Sequence, residues 1–185
     1  MRPAICLLFA LTTSTSFAAE LVKACDVGAP LAIVRDSKIA DTYIYYLQQG
    51  GKRRPVFGDP DQSRGSDVVA QCVGKNIRAL VASGEFTANA LQGFVITSPR
   101  GSSTPERLDF AEKNRPQWLY LSKHEIIAVV PTMGYGETSA RYVAYHHAVG
   151  LSKADRADAI DQLPSTGGFE VINLKAQNRQ LNAGK

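Results

Sequence analysis

The residues able to do chemistry in this chain are few, and their spacing limits what they can do. His146 and His147 are adjacent, and His124 is the third histidine. Adjacent residues of a strand point to opposite faces, so one metal ion cannot readily take both imidazoles. No metal site is expected. His147 shares a face with Val143, Tyr145 and Val149, which predicts a satisfied histidine at the edge of a core.

Serine hydrolysis needs a nucleophile, a base and an orienting acid within reach of one another. Ser98, Ser122 and Ser139 are available, but no Gly-x-Ser-x-Gly elbow surrounds any of them. Gly134-Tyr135-Gly136-Glu137-Thr138-Ser139 has the glycines of a phosphate loop without its lysine, and it does not lead from a strand into a helix. It suits a loop that offers Tyr135 and Glu137 to a partner. Asp109 and Glu112, near Trp118, are the carboxylate pair best placed to imitate a glycosidase. No catalytic residue and no cofactor is assigned.

Cys6, Cys25 and Cys72 are the three cysteines. Cys6 falls inside Ala4-Ile5-Cys6-Leu7-Leu8-Phe9-Ala10-Leu11, a short apolar run that follows Arg2 and leads to Ser16-Phe17-Ala18-Ala19. A positive start, an apolar middle and small residues at minus three and minus one make residues 1–18 a secretory leader, cut after Ala18. The run is shorter than the roughly 20 apolar residues of a spanning helix. Cys25 and Cys72 then remain in an oxidising compartment, so one disulfide is expected between them. The expected location is the periplasm or outside the cell.

A domain over 19–175 and a polar tail over 176–185 complete the organisation. Of 21 Lys and Arg residues, loss of Arg2 leaves 20 against 17 acids, a formal +3. That balance, with both signs interspersed and no basic helix or aromatic RNA-binding strand, argues against a nucleic-acid partner. The one basic cluster, Lys52-Arg53-Arg54, adjoins Gly50-Gly51.

Short runs rich in β-branched and aromatic residues, punctuated by turn residues, must position these groups. Strands are predicted over 31–34, 42–47, 53–57, 91–97, 107–110, 117–121, 125–130, 141–149 and 169–174. In the second, Tyr43, Tyr45 and Leu47 share a face, and Gln49-Gly50-Gly51-Lys52 turns it back as a hairpin. Residues 67–83 fit two patterns. Val69, Val73, Ile77 and Leu80 have helical spacing behind Ser66, whereas Gly74-Lys75-Asn76 would turn one strand into another. The β-branched content favours the strands. A helix is predicted over 152–163, with Ser152 as its N-cap, Ala157 and Ile160 turned inward and Pro164 beyond its end.

The fold expected is mainly β: a single antiparallel domain, sandwich or barrel-like, with one short C-terminal helix, and α+β as the alternative. The function expected is that of an exported protein that binds and inhibits another protein. An immunity protein against a secreted envelope-targeting effector, or a lysozyme-type inhibitor, fits this organisation. The alternatives are a small envelope enzyme using carboxylates on glycan or peptide, and an accessory structural protein of the envelope. Arg53, Arg54, Arg100, Tyr135 and Glu137 are the candidate partner contacts.

Overall fold

In the first part of the described chain a new strand begins every nine to fifteen residues. β1 (Glu20–Asp26), β2 (Pro30–Arg35), β3 (Tyr43–Gln49), β4 (Lys52–Pro55), β5 (Arg64–Val73), β6 (Ala79–Glu85), β7 (Leu91–Thr97) and β8 (Glu106–Glu112) form one antiparallel sheet. β9 (Trp118–Leu121), β10 (Glu125–Pro131), β11 (Tyr142–Ala148), β12 (Arg156–Ile160) and β13 (Glu170–Asn173) form a second. The structure is a computed structural model that describes residues 19–98, 105–134 and 138–175. Among them no helix is long and apolar enough to cross a membrane. The leader over 1–18, the tail over 176–185, Arg100, Tyr135 and Glu137 lie outside the described residues.

The first sheet runs β1-β2-β3-β5-β6-β7-β8, with β4 paired to β3 off this path. It curls on itself, because β1 also lies against β5. Cys25 of β1 and Cys72 of β5 are disulfide-bonded with Cα atoms 5.6 Å apart, which closes the curl covalently. The fold is thus mainly antiparallel β in one domain, as the alternating sequence predicts. Its first sheet leans toward a barrel, and the second packs on it as in a sandwich.

β6 and β7 explain how one chain makes three layers. Leu80, Ala82, Phe94 and Ile96 face a core inside the curl, with Leu31, Ile33, Tyr45 and Leu47. The intervening Ala79, Val81 and Val95 face the second sheet and meet Leu119, Leu121, Ile126 and Ala128. A strand covered on both sides has no solvent face, so its sequence reads as an unbroken apolar run rather than an alternation. From Ala79 to Gly84 every residue is buried.

Two expectations over 67–83 and 152–163 resolve differently. The first segment forms β5 and β6, with Gly74 at φ +85° opening the turn between them. Over 152–163 the predicted helix is corrected to the edge strand β12, whose backbone pairs with β11 from Tyr142↔Ile160 to His146↔Arg156. Ser152 caps nothing and is exposed, Ala157 is exposed, and Ile160 is half-buried on the far face of the second sheet. The helical signals there, a cap, an apolar spacing and a Pro stop, are local, whereas the ladder to β11 supplies hydrogen bonds that only the tertiary structure offers. β1 is a further strand that the sequence reading did not contain.

The second sheet has the order β12-β11-β10-β9-β13, so the nine-residue connection 161–169 links its two edges. β12 ends beside Tyr142 and β13 begins beside Leu121, at opposite ends of the sheet. Four strand spacings are about 19 Å, a span that nine residues reach easily. The inner face is occupied by the core, so the connection straps the outer face. Ile160 and Phe169, at its two ends, pack with Tyr120, Ile127, Val129 and Ala144 there. Phe169 meets Tyr120 edge-on at 5.9 Å.

Candidate functional site

Three features of this scaffold present chemistry. The first is the β3–β4 hairpin. Gly50 and Gly51 both have positive φ, at +55° and +77°, the pair that a two-residue turn matched to strand twist requires. β4 then pairs Arg54 with Leu47 and Arg53 with Gln48, so neighbouring cations face opposite ways. Arg53 is anchored: its guanidinium lies 3.5 Å from the centroid of the Tyr46 ring and is ion-paired with Asp36. Lys52 and Arg54 are exposed and make no interaction among the described residues. Arg54 lines a shallow groove of about 360 Å³ with Phe57, Arg107 and Asp109. Arg107 stacks over Phe94 at 4.6 Å and is held by Asp109 at 2.6 Å.

A second feature is a cleft of about 560 Å³ where β11 and β12 extend past the end of the first sheet. Ala157 and Ala159 give it an apolar wall, while Asn89, Lys113, Asn114 and Thr138 give a polar one. The Tyr145 hydroxyl lies 2.8 Å from the Ala111 carbonyl and 3.1 Å from the Glu112 carboxylate at its base. Met133 and Gly134 also line it.

The third is the histidine pair of β11. His146 and His147 point to opposite faces, as predicted, and each is wired to two acids. His146 Nδ1 is 2.8 Å from Glu125 of β10, and its Nε2 is 3.4 Å from Asp158 of β12. His147 Nε2 is 2.8 Å from Glu106 of β8, and its Nδ1 is 2.7 Å from Asp155. His147 packs on the core face with Tyr145 and Val149, the satisfied core-edge position expected of it. These four acids escaped the sequence reading. The signal that could have found Asp158, and Asp155 just before it, is the strand β12 beside the histidines, which the helix predicted over 152–163 hides.

Asp109 and Glu112 are not a catalytic pair. They lie three residues apart on one strand and so face opposite ways, Asp109 toward Arg107 and Glu112 toward Tyr145. Trp118 stands on the outer face of the second sheet, edge-on to Tyr142 at 5.5 Å. Ser122 is a turn residue whose Oγ accepts from the Glu125 amide at 2.9 Å.

A second cleft, of about 570 Å³, has apolar walls of Ile77, Leu121 and Phe169 and carries Glu170. Glu170 is already saturated: it accepts from the amides of Lys75, Asn76 and Ile77 at 2.5, 2.9 and 3.1 Å. Burial pushes its carboxyl up, but these three donors and the Lys75 charge outweigh that and hold it below the usual range. Among the described residues no group of three or more His, Cys, Asp or Glu side chains could hold a metal ion.

Fold and site together define a cross-linked, two-sheet antiparallel β scaffold with a basic hairpin on its first sheet. No protein-family model, curated protein or solved structure matches the chain.

Proposed function

We propose that this is an exported inhibitor protein, freed of its leader after Ala18, that blocks another protein by seating the β3–β4 hairpin against an acidic surface. An immunity protein against an envelope-attacking effector, or an inhibitor of a lysozyme-type hydrolase, fits this mode. The observation that carries the reading is the contrast within Lys52-Arg53-Arg54. Arg53 is fixed on Tyr46 and Asp36, while its neighbours project without partners. A pre-ordered strand that presents two unpaired cations loses little conformational entropy on docking, and arginine is enriched among the residues that dominate interface energy. The disulfide and the two-sided packing of β6 and β7 keep that presentation stiff.

The test is capture of partners by the mature protein from envelope fractions and from co-expressed neighbouring gene products. A stoichiometric partner is expected. The double variant Lys52→Glu/Arg54→Glu should bind it roughly 30-fold or more weakly, an effect of about 2 kcal/mol, with an unchanged melting temperature. Recovery of no stoichiometric partner, together with turnover of a cell-wall substrate, would refute the proposal.

A further inference from the structure

His147 has both ring nitrogens against carboxylate oxygens, Nε2 at 2.8 Å from Glu106 and Nδ1 at 2.7 Å from Asp155. An ionised carboxylate only accepts. Both contacts are therefore hydrogen bonds only when each nitrogen carries a proton, so the ring they require is an imidazolium. The two acids come from different places. Glu106 belongs to β8 of the first sheet, and its other oxygen accepts from the Gly150 amide at 3.0 Å. Asp155 lies in the connection 149–155 that delivers β12. One ring thus joins the first sheet, β11 and the approach to an edge strand.

We propose that His147 is a proton-operated latch: charged, it holds β12 and the connection before it against the body; neutral, it lets them go. A neutral ring keeps one N–H and turns a lone pair toward the other carboxylate at under 3 Å, so one contact becomes repulsive. Asp155 is the side that yields, because Glu106 is fixed in β8; its bond to the Gly150 amide tethers the start of the connection in either state, so release begins beyond Gly150. β12 is paired on one side only, to β11. Its release would carry away the Ala157 and Ala159 wall of the cleft.

The charged groups facing the latch are few. On the same face of β11 is the Tyr145 phenol, bound at Ala111 and Glu112. From β10 the inner face brings only Ile126 and Ala128. On the opposite face His146 meets Glu125 of β10 and Asp158 of β12, and Arg156 pairs with Asp158 at 3.1 Å. Arg107, next to Glu106, turns outward to Asp109. Lys153 of the connection is exposed. Burial alone would push the His147 imidazolium to lose its proton early. The hydrogen bonds to Glu106 and Asp155, with their charges, outweigh burial and raise its pKa above the ordinary histidine value. With the folded value raised, the latch is at full strength below about pH 6.5 and is lost as pH rises through the folded value.

The experiment is a titration of ¹⁵N-labelled protein from about pH 5 to about pH 9, read at the imidazole nitrogens and at the backbone amides. The His147 midpoint should lie above the ordinary histidine value of about 6.5, with both ring nitrogens protonated below it. As pH rises from about 6.5 to the His147 midpoint, the protection of β12 amides against exchange, corrected for intrinsic rates, should fall by up to about tenfold per pH unit and then level off, while that of β10 holds. In His147→Gln the β12 amides should exchange freely at every pH while β10 stays protected. If that variant fails to fold, the wild-type titration decides alone. A His147 midpoint at or below the ordinary histidine value, or β12 protection that stays flat from about pH 6.5 through that midpoint, would overturn the latch.

Discussion

Glu170 offers the sharpest test of how the two sheets are joined. Its carboxylate, on β13 of the second sheet, accepts three consecutive amides from the β5–β6 turn of the first, across a sequence separation of 93 to 95 residues. In Glu170→Gln the side chain keeps its shape but loses its charge, and its NH₂ is set against amide donors. A hydrogen bond to a charged group contributes about 1.5–3 kcal/mol. Lys75 and Asn76 are exposed, so water replaces most of what their amides lose; Ile77 is half-buried and its amide is left poorly paired. The net cost is then about 2 kcal/mol, or a fall of roughly 4–8 °C in melting temperature for a domain of this size. Urea unfolding at pH 7 measures it directly. The folded pKa of Glu170 is lowered, so its contribution is present above the unfolded value of about 4.3 and is lost as pH falls through the folded value. The gap between wild type and variant should therefore be full at neutral pH and close in acid. A gap below about 0.5 kcal/mol at pH 7, within the range of an ordinary surface change, would refute the clamp.

Two further predictions concern the scaffold. In Gly93→Ala the new methyl would lie 2.3 Å from Cζ of Phe110 and 2.5 Å from the Ala82 carbonyl, inside the wall between the two cores. The cost expected is about 1–3 kcal/mol in the urea midpoint, and a neutral result would mean that Phe110 does not lie across Gly93. Mass spectrometry without reductant should find Cys25 and Cys72 joined. Replacing both by alanine should cost roughly 3–4 kcal/mol for a sequence separation of 47 residues, and free thiols in the purified protein would contradict the bridge.

Much of the strand content is legible because a strand's period is local. Tyr43, Tyr45 and Leu47 alternate onto one face, and that face is the one that enters the core inside the curl. Gly50-Gly51 marks the hairpin because positive φ is needed at both positions. β1 was less visible, since Glu20, Lys23 and Asp26 interrupt its apolar residues and a bulge between Leu21 and Lys23 breaks its register. Of the candidate contacts, Arg53 and Arg54 are divided by the hairpin into an anchor and a free cation. Residue types alone could not make that distinction, because it depends on which face of β4 meets Tyr46 and Asp36.

By itself the sequence determined the class of the fold, the pairing of Cys25 with Cys72 and the opposed directions of His146 and His147. Each follows from counting or from a period of two residues. Only the tertiary structure decided that 156–160 is a strand, that 161–169 straps the outer face, and that Glu106 and Glu170 bind groups far along the chain. Those outcomes depend on hydrogen bonds and charge pairs between segments that folding alone brings together. Local propensity carries no information about such distant partners.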